Sequence, residues 1–352
     1  MPSAIGLDIG SSAVRAVQVT RPGRGPATLD RLGQVLLPPG AVRDGEIADP
    51  EAVVEVLKTL WKRYGFKGRK VAMGVANQQV VVREVDLPYL PEAELRKSLD
   101  FQVQDYIPIP VEQAVLDFHV LAEHEVDGNR LSKILLVAAA RGMVDSVVAA
   151  ARQARLQPML LDLDAFAMLR SLSRPDAVLA GGEGELLVDA GAAVTNLVVH
   201  EAGIPRFVRI LLMGGKDVTD AVAERMGISQ EQAESLKQQL GVRSGTDLEP
   251  GDKVALRALE ASAEVFVEEI RGSLAYYSAS QGAAPVSRVI VSGGGMRLAG
   301  LLERLGEATR LPVAAGNPLA ALTLGGTGLT PEQITYVEPL SAVPVGLALG
   351  AQ

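Results

Sequence analysis

The sequence predicts an α/β protein of two similar domains facing a shared ligand cleft, and three glycine-bearing segments predict it. Ile5-Gly6-Leu7-Asp8-Ile9-Gly10-Ser11-Ser12 is an apolar run that ends in an aspartate and a glycine turn. Leu186-Leu187-Val188-Asp189-Ala190-Gly191 repeats the arrangement about half a chain later. Each is followed by another β-like run, Val14 to Val19 and Thr195 to Val199, so each reads as a β-hairpin rather than a strand entering a helix. Glycine lets the backbone approach phosphate oxygens closely, and the turn's N–H groups supply donors. An aspartate beside each turn suits hydrated Mg²⁺, which keeps several waters and takes few protein carboxylates. The third segment, Val289-Ile290-Val291-Ser292-Gly293-Gly294-Gly295, is a buried strand ending in contiguous glycines, with helical spacing from Met296 to Leu305. No acidic residue sits about 20 positions on, unlike the dinucleotide fingerprint, and the glycines read as a surface for a flat base or ribose.

These residues resemble the actin, Hsp70 and sugar-kinase ATPase superfamily. Asp8–Ser12 is similar to its first phosphate loop, Asp189–Thr195 to its second and Gly293–Gly295 to its adenosine loop. The resemblance implies an ATP site with Mg²⁺, the metal held by Asp8 and Asp189 through water. It assigns the nucleotide to Gly10, Ser11, Ser12 and Arg15, to Gly191, Ala192 and Thr195, to Gly215, and to Gly293, Gly294, Gly295 and Arg297. Ala233-Glu234-Ser235-Leu236-Lys237 resembles the motif whose acid and lysine reach ribose and adenine. The alternative is that Glu234 and Lys237 form a solvated i,i+3 pair worth a few tenths of a kcal/mol.

Three departures bear on turnover. Arg15 stands where relatives commonly have lysine, which changes reach and hydrogen-bond geometry. Ala192, Ala193 and Val194 replace the glycine or hydroxyl residues usual in the second loop. Asp164, the candidate for orienting an attacking water, is one methylene shorter than the glutamate of Hsp70-like relatives, and a helix-cap role is the alternative. Phosphoryl transfer depends on positioning and electrostatics, so the expectation is ATP·Mg²⁺ binding with weak or negligible hydrolysis.

Composition fits two compact cores in 352 residues, with 48% apolar but only 4% aromatic side chains. The absence of cysteine excludes disulfides and thiolate zinc sites and is compatible with a cytoplasmic protein. His119, His124 and His200 lack metal-ligand spacing, and a net charge of −8 argues against nucleic acid as a general partner. Apolar stretches such as Ile134–Ala140 are too short to span a bilayer, and no secretion signal is expected at the amino terminus.

Along the chain, Ile5–Val19 and Ala27–Leu37 read as paired strands. Asp49 caps a helix with Pro50 at its first position and Val53, Val54, Leu57, Leu60, Trp61 and Tyr64 on its apolar face. The first actin-like domain is expected at 1–76 and 156–184, with 339–352 returning to it. The second occupies 185–338, including a helical subdomain at about 214–282. Residues 77–155 break the rhythm with a β-α-β-β-α pattern and read as an inserted α+β subdomain.

The insertion resembles that of the cell-division protein FtsA and, more closely, that of the type IV pilus assembly protein PilM. The similarity to PilM rests on Arg83-Glu84-Val85-Asp86-Leu87-Pro88, Tyr106-Ile107-Pro108-Ile109-Pro110 and Leu116-Asp117-Phe118, with the opening Gly6–Val17 and the closing Ser341–Gly350. It implies a cytoplasmic ATP-binding scaffold that holds the N-terminal cytoplasmic tail of the bitopic inner-membrane protein PilN. Other pilus platform proteins and assembly ATPases are further candidate partners. Such a scaffold would sit beside the inner membrane through its partner, without inserting into it. The tail is expected in a groove between insertion and core, walled by Val81, Arg83, Val85, Leu95, Leu99 and Val103. The alternatives are an FtsA-like filament protein, whose terminal membrane-targeting helix is not expected here, and a sugar-kinase-like phosphotransferase. A sibling role in type II secretion is also compatible with the sequence.

Overall fold

The computed structural model describes residues 3–23, 25–173, 182–242, 250–280 and 282–351. The chain opens with β1 (Ser3–Ile9), β2 (Ala13–Thr20) and β3 (Thr28–Leu36), followed by a two-residue ribbon of β4 (Val42–Arg43) and β5 (Glu46–Ile47). Helix α1 (Pro50–Tyr64) starts where the Asp49 carboxylate accepts the Ala52 N–H at 3.0 Å and stops at Gly65, whose φ of 60° is left-handed. β6 (Lys70–Val75) returns to the sheet. β7 (Val81–Pro88), α2 (Glu92–Gln102), β8 (Ala114–Val126) and β9 (Asn129–Ala140) then form a separate three-stranded sheet with one helix, in the order β7-β9-β8. α3 (Arg141–Gln153), β10 (Gln157–Leu163) and α4 (Asp164–Leu172) complete the first half.

The second half repeats the plan. β11 (Gly184–Ala190), β12 (Thr195–Glu201) and β13 (Ile204–Leu211) lead to α5 (Gly215–Met226), α6 (Gln230–Leu240) and α7 (Pro250–Ser278). β14 (Val286–Ser292), α8 (Leu301–Thr309), β15 (Val313–Ala315), β16 (Thr323–Leu324), α9 (Pro331–Val337) and α10 (Ala342–Gly350) follow. The two large sheets run β10-β6-β1-β2-β3-β16 and β13-β12-β11-β14-β15. In each, an antiparallel meander is joined on one side by strands parallel to its first member. β16 is the exception, a piece of the second half added in parallel to β3.

Packing redraws the insertion. Met143, Val147, Ala150 and Ala151 of α3 are buried in the cluster that holds Val53, Leu57 and Leu60 of α1. The insertion's own core holds residues of β7, α2, β8 and β9, whereas α3 packs on the first domain's α1. The expected groove wall is corrected by the same cluster. Val85, Leu95, Leu99 and Val103 are buried in the insertion's own core, leaving half-buried Val81 and exposed Arg83 accessible. The apolar period of α2 recorded inward packing, which period alone cannot distinguish from a partner surface. A further correction concerns Met296–Leu305: Gly294–Arg297 forms a 3₁₀ turn, and the α-helix starts only at Leu301.

Helix α10 ties the molecule together. Every residue from Ala342 to Ala348 is buried, between α4 and the faces of β1, β2 and β6. The approach is close enough that a Cβ on Gly6 would lie 2.0 Å from the Pro344 carbonyl oxygen, and one on Gly346 1.7 Å from that of Ala167. Gly346→Ala is therefore expected to force the helix off its seat, costing about 1–3 kcal/mol by overpacking. Gly272→Ala, in an exposed turn of α7 with open space around it, should instead add about 0.5–1 kcal/mol. Thermal melts of both variants check the contrast.

Candidate nucleotide and cation site

The two hairpins close in the same way, with the Gly10 N–H donating to the Ala13 carbonyl at 3.1 Å and that of Gly191 to Val194 at 3.0 Å. Their registers match too: Asp8 stands opposite Arg15, and Asp189 opposite Asn196. Arg15 Nη1 reaches Asp8 Oδ2 at 3.4 Å, while its Nε is held at 2.9 Å by Gln34 Oε1 from β3. The equivalent position in the second hairpin carries an amide and no charge. Ser11 is half-buried and Ser12 exposed at the first turn, and Ala192 is half-buried at the second.

A third carboxylate joins from β10. Asp164 is the first residue of α4; the cap position is Leu163 and makes no side-chain cap bond, so the helix-cap alternative does not describe it. The Asp164 carboxylate packs over Gly74 of β6, where a Cβ would lie 1.8 Å from Oδ1, and that buried oxygen has no hydrogen-bond partner. Burial is the largest influence on all three acids. It pushes Asp164 well above the usual carboxylate range, and the charges of Asp8, Asp189 and Asp162 push it further. Asp189 is raised to about 7 by burial and by Asp8, against the opposing effects of Arg15 and Asn196. Asp8 is raised by burial in spite of Arg15. Among the described residues no group of three acidic or histidine side chains is placed to grip a metal directly, so Asp8 and Asp189 could hold one only with water or ligand oxygens completing the shell.

Gly215, Glu234, Lys237 and the Gly293–Gly295 loop gather around the second hairpin turn. The Gly215 N–H donates to the Gly191 carbonyl at 3.0 Å and the Lys216 N–H to Ala192 at 2.7 Å, which seats the start of α5 on the hairpin turn. Lys237 Nζ bonds the Gly215 carbonyl at 2.9 Å, Thr219 Oγ1 at 2.8 Å and Glu234 Oε2 at 2.6 Å. Burial alone would raise Glu234, but hydrogen bonds from Lys237, Thr219 and Gln238 outweigh it and leave the carboxyl lowered. Lys237 is thus built into the α5–α6 junction, while the Glu234 carboxylate stays partly exposed beside it. Gly293, at φ 87°, donates its N–H to the Pro339 carbonyl at 2.7 Å, and Gly294 and Gly295 continue the turn toward Gly215. Thr195 is fully buried with its hydroxyl 2.8 Å from the Met213 carbonyl, so it braces the loop without facing the cleft. The Arg297 guanidinium stacks on Tyr336, 4.0 Å from the ring centroid, and donates to that residue's carbonyl.

Sequence reasoning missed Gln34, Gly74, Asn196 and Thr219. Gly74 and Asn196 carried a faint signal: a glycine inside an apolar strand, and an amide at the hairpin offset that Arg15 occupies in the first repeat. Gln34 and Thr219 carried none, because strand pairing and helix crossing bring them in.

Two duplicated sheets with facing aspartate hairpins and a glycine loop define an actin-like ATPase fold with an FtsA-type insertion. MreB5 of Spiroplasma citri bound to AMPPNP superposes with a TM-score of 0.57 at 13% identity, covering 99% of this chain and 96% of that one. The ethanolamine utilization protein EutJ of Carboxydothermus hydrogenoformans gives 0.56 at 16% identity, over 99% and 90%. FtsA of Bacillus subtilis is 23% identical over 262 residues, 67% of this chain, and the aligned part spans 58% of that relative's length. The chain belongs to the family of the type IV pilus assembly protein PilM, whose model matches residues 6–352. A solved PilM–PilN type IV pilus biogenesis complex is similar over 99% of this chain and 98% of that one, at 29% identity and a TM-score of 0.85.

The three raised carboxyls make a pH prediction. Each holds its proton to higher pH when folded than when unfolded, so between pH about 4 and 7 the folded chain binds more protons and stability falls as pH rises. Without nucleotide or metal, the melting temperature is expected to drop from pH 5 to pH 8. Asp164→Asn should flatten that drop and raise the melting temperature at pH 8 by several degrees. A wild-type profile that rises or stays level across this window would refute the burial account.

Proposed function

We propose that this chain is an ATP·Mg²⁺-binding scaffold of the type IV pilus inner-membrane platform, which holds the N-terminal cytoplasmic tail of PilN. The observation that carries the proposal is near full-length similarity to the PilM–PilN complex, through the insertion as well as the duplicated domains. FtsA is a distant relative, and a filament-forming division role is not favoured. No described helix is long and apolar enough to cross a membrane, so the partner's own anchor would hold the scaffold there.

The nucleotide would lie between the hairpins. Its phosphates would take the backbone donors of Gly10, Ser11 and Ser12 on one side and of Gly191 and Ala192 on the other. The ribose and base would rest against Gly215, Glu234, Lys237 and Gly293–Gly295. Mg²⁺ supplies charge neutralisation for phosphate oxygens and carboxylates, and Asp8 and Asp189 would hold its waters. Burial and the neighbouring acids push the Asp164 carboxyl up, which leaves less of it ionised to accept a proton from water and supports slow or negligible hydrolysis. Lys237→Met should raise the Kd for a fluorescent ATP analogue about tenfold, because it removes the cation that joins Gly215, Thr219 and Glu234.

The PilN tail would lie in a groove between the insertion and the body of the first domain, near exposed Arg83 on β7. The insertion also leans on the second domain, where Arg206 of β13 meets Glu84 of β7 at 3.2 Å. A nucleotide that changes the angle between domains would thus alter the insertion's surroundings, and so its affinity for a tail. Fluorescence anisotropy of a labelled PilN tail peptide is expected to show binding that Arg83→Glu weakens about tenfold and ATP·Mg²⁺ strengthens. Equal affinity in empty and loaded protein would remove the nucleotide switch, and no binding in either state would remove the scaffold assignment.

A further inference from the structure

Residues 58–70 hold six cations, Lys58, Lys62, Arg63, Lys67, Arg69 and Lys70, and no acid, in a chain whose net charge is −8. All six are exposed. Arg152 and Arg155, at the end of α3, are exposed beside them. Lys58, Lys62, Arg69 and Arg155 line one cavity of about 600 Å³, with Trp61 and Phe66 among its walls. Among the described residues, Lys58 is paired with Glu55 at 2.7 Å, and the other seven cations make no ion pair. Elsewhere about half of the described arginines form ion pairs, as at Arg96, Arg130, Arg170, Arg271 and Arg304.

Helix dipoles explain only part of this concentration. Lys62, Arg63 and Arg152 sit in the last turns of α1 and α3, where a cation meets the partial negative charge of free carbonyls. Lys67, Arg69 and Lys70 lie beyond the helix. Arg155 takes φ 62°, a left-handed position that glycine or asparagine occupies at lower cost. The location is also distinctive. Asp8, Gly74 and Asp164 stand at the carboxyl ends of the parallel strands β1, β6 and β10, whereas the basic face stands at the amino ends of β6 and β10. Six-residue strands put the two about 20 Å apart, so a surface covering the cations leaves the cleft open.

We propose that this basic pole of the first domain is a docking face for an anionic phospholipid surface. Lys and Arg side chains near such a surface act as independent electrostatic contacts, each worth about fivefold in partitioning, and salt screens them within a Debye length. The contact is peripheral and uses this chain's own residues, so it does not depend on PilN and is tested without it.

The test is co-sedimentation of the full chain with sucrose-loaded vesicles rich in phosphatidylglycerol, alongside vesicles of phosphatidylcholine alone. The expected result is binding to the anionic vesicles only and release at about 0.5 M salt. The triple variant Lys62→Glu, Lys67→Glu, Arg69→Glu should lose about 100-fold in partitioning. The triple variant Lys97→Glu, Arg225→Glu, Lys253→Glu makes the same change in net charge at exposed sites outside this cluster, and it should retain most of the binding. Equal sedimentation with both vesicle types, or equal loss in both variants, would overturn the proposal. So would capture by soluble polyglutamate without vesicle binding, which would make the pole a site for acidic polypeptide. The wild-type salt arm keeps the test decisive if the basic-pole variant melts early.

Discussion

Three carboxylates, buried Asp8 on β1 and half-buried Asp164 and Asp189 at the start of α4 and on β11, share one cleft with Arg15. Asp8 raises the cost of ionising Asp164 and Asp189, Asp189 adds to that of Asp164, and Arg15 is already shared with Gln34. A fold that had only to be stable would replace one of them with an amide. Keeping all three leaves an electrostatic deficit that a hydrated divalent cation with a polyphosphate would relieve. The buried Oδ1 of Asp164 has no hydrogen-bond partner to offset this cost.

That deficit is connected to the rest of the molecule through short backbone links. The Gly293–Gly295 loop is tied by the Gly293 N–H and by the Ser292 hydroxyl to the Pro339 carbonyl, three residues before α10. α10 is sealed into the first domain by the close approach of Gly6 and Gly346, and by Arg170, which donates to the Gly346 carbonyl at 2.7 Å. These contacts link the second domain's glycine loop to the strand that carries Asp8. On the far side, Arg206 and Glu84 join the second sheet to the insertion. The two connections bracket the cleft and give nucleotide occupancy a physical route to the surface proposed for PilN.

Much of this was legible in the sequence because it rests on local rules. The aspartate-glycine hairpins, the Asp49 cap and the glycine-ended β14 are short-range patterns, and the structure contains each of them. What failed depended on which neighbour a face meets. The apolar residues of α2 and β7 have the same period whether they pack on their own sheet or await a partner, and here they pack inward. α3 follows the insertion in sequence but packs on α1, because the crossover from β6 to β10 needs a helix over the first sheet. Thr219 joined the site only because α5 crosses α6 at that point, a contact no single-segment pattern records.

The most direct test of the central claim is calorimetric titration of the ligand-free chain with ATP, in Mg²⁺ and again in excess EDTA. The account predicts tight binding with Mg²⁺ and a loss of about a hundredfold or more without it, since bare polyphosphate would then face unneutralised carboxylates. Equal affinity in the two conditions, or no binding in either, would contradict it.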